Sequence, residues 1–221
     1  MVKLYVADIS NLPDPMLNSE LLHRLPMDRQ QRIHNLKQEK SRKQSMGVGL
    51  LLQKVLALYH MQDSQVYVGE HGKPMIDGLE FSLSHSGNLV ICAVSNQPIG
   101  CDIEKLREAP KGVAERYFSA SEQVFVDSIA GEEHKRAFFQ MWTMKESYVK
   151  MTGEGLGVPF KAYELVFEEK SCAHSWHKSY AKIVRDGEEQ SCHLNSVELQ
   201  GYIVSVCAED IGPVEIIWEN L

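Results

Sequence analysis

Nothing in this sequence approaches the ~18 uninterrupted apolar residues that a membrane span requires. Its richest stretch, VGLLLQKVLALYHM at 48–61, is broken by Gln53 and Lys54 and reads as an amphipathic or buried helix. The opening MVKLYVADIS reaches an acid at Asp8 and has no signal-peptide core, so it reads as a first strand. The five cysteines (Cys92, Cys101, Cys172, Cys192, Cys207) are odd in number and form no CxxC pair. That argues against a disulfide framework and for a reducing compartment, the cytoplasm. Excess positive charge is missing too: the net charge of −7 argues against a general nucleic-acid binder. A phosphate loop is also lacking. The glycine run at 153–157 follows a helical pattern and leads into Val158-Pro159 instead of opening a helix, so neither a Rossmann nor a P-loop reading survives.

What is present is an ordinary globular composition, 43% hydrophobic and 24% charged over 221 residues. That length suits one large domain or two smaller ones, each able to bury a core. A strand at 2–9 leads into NLPDPMLNS, a turn-rich stretch with two prolines. Residues 19–60 read as two or three helices, with an apolar stripe at Leu50, Leu51, Val55 and Leu58. Short strands are expected near 65–69, 79–84, 89–95 and 99–104, and KLREAPKG at 105–112 reads as a linker. Helices near 113–130 and 132–152 follow, the second stopping at Gly153, and 160–221 reads as strands. Each half thus combines helices with a small sheet, and no residue-level repeat connects them.

Three stretches carry chemistry. In FSLSHSGNLV (81–90) Ser84, His85 and Ser86 approach a turn between two apolar runs. Adjacent Ser and His are poor evidence for a catalytic dyad, whose members normally meet in space. In IGCDIE (99–104) the period of two puts Asp102 and Glu104 on one strand face and turns Cys101 and Ile103 towards a core. Two such acids are either solvated or held by a cation, and a hard ion such as Mg²⁺ suits them better than zinc. In WTMKESYVKMTGEGLG (142–157) Glu146 and Lys150 share a helix face. A surface ion pair is the plain reading, yet Trp142, Met144, Tyr148 and Met151 make the neighbourhood apolar. The segment 28–43 has a local balance of +4, either a solvated helix face or an anion site. CAHSWHK (172–178) with Cys192-His193 has zinc-binding residue types at a spacing that matches no ligand pattern.

In this order, HGKP (71–74), FSLSHSG, IGCDIE and WTMKESYVKMTGEGL resemble the 4′-phosphopantetheinyl transferases of the larger, Sfp-type class. The resemblance implies transfer of the phosphopantetheine arm of coenzyme A to a serine of an apo acyl or peptidyl carrier protein, releasing 3′,5′-ADP, with Mg²⁺ required. It implies an α+β fold of two similar halves in one chain, a pseudo-dimer working as a monomer, here divided as 1–104 and 105–221. Carried over by motif, Asp102, Glu104 and Glu146 would hold the metal, and Glu146 would also be the base. Lys73, Ser84, His85 and Lys150, with Arg42 and Lys43 of the basic segment, would contact CoA and its phosphates. Ser84-His85 then reads as a phosphate cradle, since the nucleophile comes from the partner protein. Tyr117-Phe118 is expected as an exposed anchor for the carrier. Two other readings stand beside this one: another Mg²⁺-dependent phosphotransferase, and a carrier-binding module without transfer activity.

Overall fold

The computed structural model describes residues 1–17, 19–167 and 178–221. The first half holds strand β1 (Val2–Asp8), helices α1 (Ser19–His23), α2 (Met27–His34) and α3 (Glu39–Leu58), and strands β2 (Tyr67–Val68), β3 (Pro74–Met75), β4 (Glu80–Ser86) and β5 (Leu89–Ser95). Strand β6 (Ile99–Lys105) leads to helices α4 (Val113–Tyr117), α5 (Ala120–Asp127) and α6 (Glu132–Thr152). Strands β7 (Tyr163–Phe167), β8 (Lys178–Arg185), β9 (Glu188–Leu199), β10 (Tyr202–Ala208) and β11 (Val214–Trp218) complete it.

Two main sheets form, ordered β11-β1-β5-β4 and β6-β10-β9-β8-β7. They pack face to face between two helical layers. Along β1 the period of two splits the side chains: Tyr5 and Ala7 join the cluster under α3, while Val2, Leu4 and Val6 face the other sheet. There they meet Ile91 and Ala93 of β5, Cys101 and Ile103 of β6, and Val204 and Val206 of β10. A third cluster lies under α6 and includes Phe138, Met141, Met144 and Tyr148. The expected mixture of helix and sheet is borne out.

One connectivity recurs. The strand β1 is followed by helices and then by β4 and β5, with β5 antiparallel to both β1 and β4. Strand β6 is likewise followed by helices, and β10 is antiparallel to both β6 and β9. The sequence boundary does not coincide with the sheets. Strand β6, on the N-terminal side of the break at 104, hydrogen-bonds into the second sheet, and β11 returns to pair parallel with β1.

Helix α6 owes its end to Gly153, whose φ of 72° lets its N–H turn back to the carbonyl of Val149. Its seat on β6 depends on Gly100, where a Cβ would fall 1.8 Å from the carbonyl oxygen of Ser147. Any side chain there would lift the helix from the strand.

Candidate active site

That close approach lowers the last turns of α6 onto β6 and onto the facing edge of β4. The ammonium of Lys150 lies 2.7 Å from Asp102 Oδ1 and 3.1 Å from Ser84 Oγ. Ser84 in turn donates to the same Asp102 oxygen at 2.7 Å. Asp102 Oδ2 is buried without a hydrogen-bond partner. Two residues on, Glu104 Oε2 accepts from Ser86 Oγ at 2.8 Å and from Arg107 at 2.7 Å. Among the described residues Oε1 of Glu104 receives no hydrogen bond, and neither does the carboxylate of Glu146. Each strand carboxylate thus has one oxygen anchored and one left over.

The electrostatics follow from this crowding. Burial first, and then the Asp102 carboxylate, push Glu146 up to about 7. Burial likewise raises Asp102, against the pull of Lys150. For Lys150 burial acts downwards, but the carboxylates of Asp102 and Glu146 outweigh it and hold the ammonium charged. Among the described residues no ready-made group of three metal-binding side chains is present. The donor set nevertheless fits a hard cation: three carboxylates on adjoining faces, two with an oxygen to spare, and a proton-holding tendency that an ion would relieve.

Two cavities that share Gly72, Pro74 and Leu83 lie beside this group. One of about 250 Å³ is lined by His71, Lys73, Pro74, Leu83, Glu146 and Lys150. The other, about 430 Å³, is lined by Arg29, Arg32, Ser41, Gln44, Leu83 and His85. Neighbours on β4, Ser84 and His85 therefore serve different places: Ser84 is buried on Asp102, and His85 is exposed towards the arginines. Although the ring is open to solvent on one side, the protein packed around it lowers the imidazole pKa, and Lys150 adds to this.

The cations divide in a way the residues alone did not disclose. Arg42 is spent on structure, forked onto both carboxylate oxygens of Asp14 and the carbonyls of Leu36 and Lys37. Lys43 reaches the carbonyl of Ser10 and lies 4.0 Å from Glu39. Lys73 donates to the carbonyls of Ile99 and Met151, joining the HGKP loop to β6 and the end of α6. Arg29 and Arg32, three apart on α2, face the cavity instead, and that helical spacing within the basic segment was the available signal.

The expected carrier anchor is corrected. Phe118 is fully buried in the cluster under α6, and Tyr117 packs edge-on against Trp142 and Phe160. The sequence 113–117 is a helix whose apolar side turns inward, so neither ring is free. Lys145 has an unexpected role. It is wholly buried, 2.7 Å from both oxygens of Glu122. Residues 172–177 of the cysteine- and histidine-containing stretch lie outside the described residues. Cys192 is free and buried.

The profile of the 4′-phosphopantetheinyl transferase superfamily matches residues 98–207, from the start of β6 through β10. The 4′-phosphopantetheinyl transferase gsp of Aneurinibacillus migulanus is 32% identical over 141 residues, 63% of this chain and 56% of that protein. The 4′-phosphopantetheinyl transferase Sfp of Bacillus subtilis is 34% identical over 145 residues, 63% of this chain and 60% of that one. The chain belongs to the 4′-phosphopantetheinyl transferase superfamily. The resemblance read from the four motifs is thereby borne out, and two of them, IGCDIE and WTMKESYVKMTGEGL, lie within the superfamily match. The match to these two transferases spans under two thirds of their length. A holo-(acyl-carrier-protein) synthase from Bacillus anthracis, solved with CoA (3′,5′-ADP), aligns with 50% of this chain and 92% of its own at 20% identity and a TM-score of 0.41.

Proposed function

We propose that this protein transfers the 4′-phosphopantetheine group of coenzyme A to a serine hydroxyl of an apo acyl or peptidyl carrier protein, releasing 3′,5′-ADP. The observation that carries the reading is the paired state of the β6 acids, each with one oxygen held from β4 and one free, beside a cavity lined by Glu146 and Lys150. The membership of the chain in the superfamily supports it.

On this reading Asp102, Glu104 and Glu146 hold Mg²⁺. Bound there, the ion would neutralise charge developing on the pyrophosphate as the phosphoanhydride bond breaks. Lys150 stays protonated between Asp102 and the cavity and offers its charge to a phosphate oxygen. His85, Arg29 and Arg32 take the remaining phosphate charge in the second cavity, with Lys43 nearby and Lys73 holding the loop that walls the first. Glu146, whose carboxylate receives no hydrogen bond among the described residues, accepts the proton of the incoming serine. The recurring strand–helix–strand–strand connectivity supports a monomer in which two halves of one chain meet around the site as a pseudo-dimer, divided near residue 98 with β11 returned to the first half. Buried free thiols at Cys92, Cys101, Cys192 and Cys207 and a net charge of −7 agree with a cytoplasmic enzyme without nucleic-acid partners.

Incubation with CoA, Mg²⁺ and a panel of apo carrier proteins tests this directly. Intact mass should show one phosphopantetheinyl group added per carrier, and excess EDTA should abolish the gain. Addition undiminished by EDTA would overturn the metal assignment. Consumption of a nucleoside triphosphate in place of CoA would favour the other phosphotransferase reading.

A further inference from the structure

Strand β4 has serine at every second position, Ser82, Ser84 and Ser86, and all three are buried. They lie where the two sheets meet, and β4 and β6 belong to different sheets with no backbone ladder between them. Side chains make the join instead. The backbone N–H of Cys101 donates to Ser82 Oγ at 3.0 Å, Ser84 donates to Asp102, and Ser86 donates to Glu104. The row keeps step with β6, so both carboxylates hang on hydroxyls from the opposite half.

We propose that Ser86 is a positioning residue for the metal-binding carboxylate of Glu104, an inference that rests on the reading of these acids as a Mg²⁺ site. The Ser86 hydroxyl has a single proton, and the N–H of Lys105 already donates to its oxygen at 3.1 Å. Its proton is thereby committed to Glu104 Oε2. The competing donor on that oxygen is Arg107, whose side chain is half exposed. Without Ser86 the carboxylate would follow Arg107 towards solvent and away from Asp102. Ser82 is the natural comparison, because it bonds the same seam through backbone and touches no carboxylate.

Calorimetric titration of Mg²⁺ into the CoA-saturated protein tests the assignment. Loss of an outer-shell partner typically weakens metal binding 10–100-fold, so Ser86→Ala should bind Mg²⁺ about ten-fold or more weakly. Ser82→Ala should lower the melting temperature and leave Mg²⁺ affinity unchanged. Ser86→Thr, which keeps the hydroxyl, should retain wild-type affinity and serves if the alanine variant fails to fold. Equal affinity in Ser86→Ala and wild type overturns the proposal. So does an equal loss in Ser82→Ala, or a ten-fold loss in Ser86→Thr. If the wild type itself takes up no Mg²⁺ with CoA bound, the metal reading falls and this inference with it.

Discussion

Helix α6 carries two lysine–carboxylate pairs barely more than one turn apart, and they are finished differently. Lys145 donates to both oxygens of Glu122 and to the carbonyl of Tyr163. Glu122 also accepts the N–H groups of Ser119 and Leu165, so every lone pair that burial strips of water finds a partner. Lys150 faces Asp102 across a pair left incomplete, with one buried oxygen unpartnered and a second carboxylate, Glu146, close by. A closed pair locks α5, α6 and β7 together. An open one is a socket. On the proposed reading, stability belongs to the first and chemistry to the second, on the same helix.

The sharpest way to break the comparison is to remove each lysine. Lys145→Met leaves Glu122 charged and buried, and breaking such a pair costs about 3–5 kcal/mol. Chemical denaturation should show a loss of that size. Lys150→Met should cost less than that, because Asp102, already pushed up by burial, can take a proton once the ammonium is gone, while phosphopantetheine transfer falls by about a hundred-fold or more. Equal destabilisation by the two variants would erase the distinction.

A smaller effect distinguishes the pairs by pH. Glu146 has its folded pKa raised to about 7, so the folded metal-free protein holds a proton that the unfolded chain releases at its ordinary carboxyl value. The corresponding stability is fully present below about pH 4.5 and is lost as pH rises through about 7, roughly 1–3 kcal/mol after allowance for its partial exposure. In the presence of EDTA, Glu146→Gln should flatten the dependence of melting temperature on pH between 5 and 8. Retention of the wild-type slope would show that another group sets it.

The smallest effect concerns the arginines. Arg42→Gln should slightly lower the melting temperature without altering CoA affinity, because its donors are spent on Asp14 and two carbonyls. Arg32→Gln should weaken CoA binding about ten-fold at low salt, the scale of one charge-assisted hydrogen bond, with no change in melting. The reverse pattern would move the phosphate site back to the start of α3.

Local pattern reveals the parts of this arrangement that local physics decides. The alternation in IGCDIE placed Cys101 and Ile103 inside and both acids on the opposite face, and β6 obeys it. The strand at 89–95 and the helix ending at Gly153 were legible for the same reason: period and punctuation lie within the segment. Partners distant in the chain were not. A lysine in the stripe Phe138, Met141, Trp142, Lys145, Val149 signals a buried counter-charge, yet nothing local points to Glu122 on another helix. Arg42 looked free for a phosphate because Asp14 sits 28 residues earlier, and Phe118 looked exposed because its linker folds back on α6. The recurring connectivity left no trace at residue level because pairing order does not require matching side chains.

The parallel pairing of β1 with β11 bears on how such a chain is made. Val2 finds its partner only at Val214, roughly two hundred residues later in synthesis. Until then one edge of the first sheet stays open, next to apolar residues bound for the space between the sheets, and open edges invite pairing with other chains. Strand β1 thus waits for β11, and a chain still short of that strand exposes an edge that the finished fold covers.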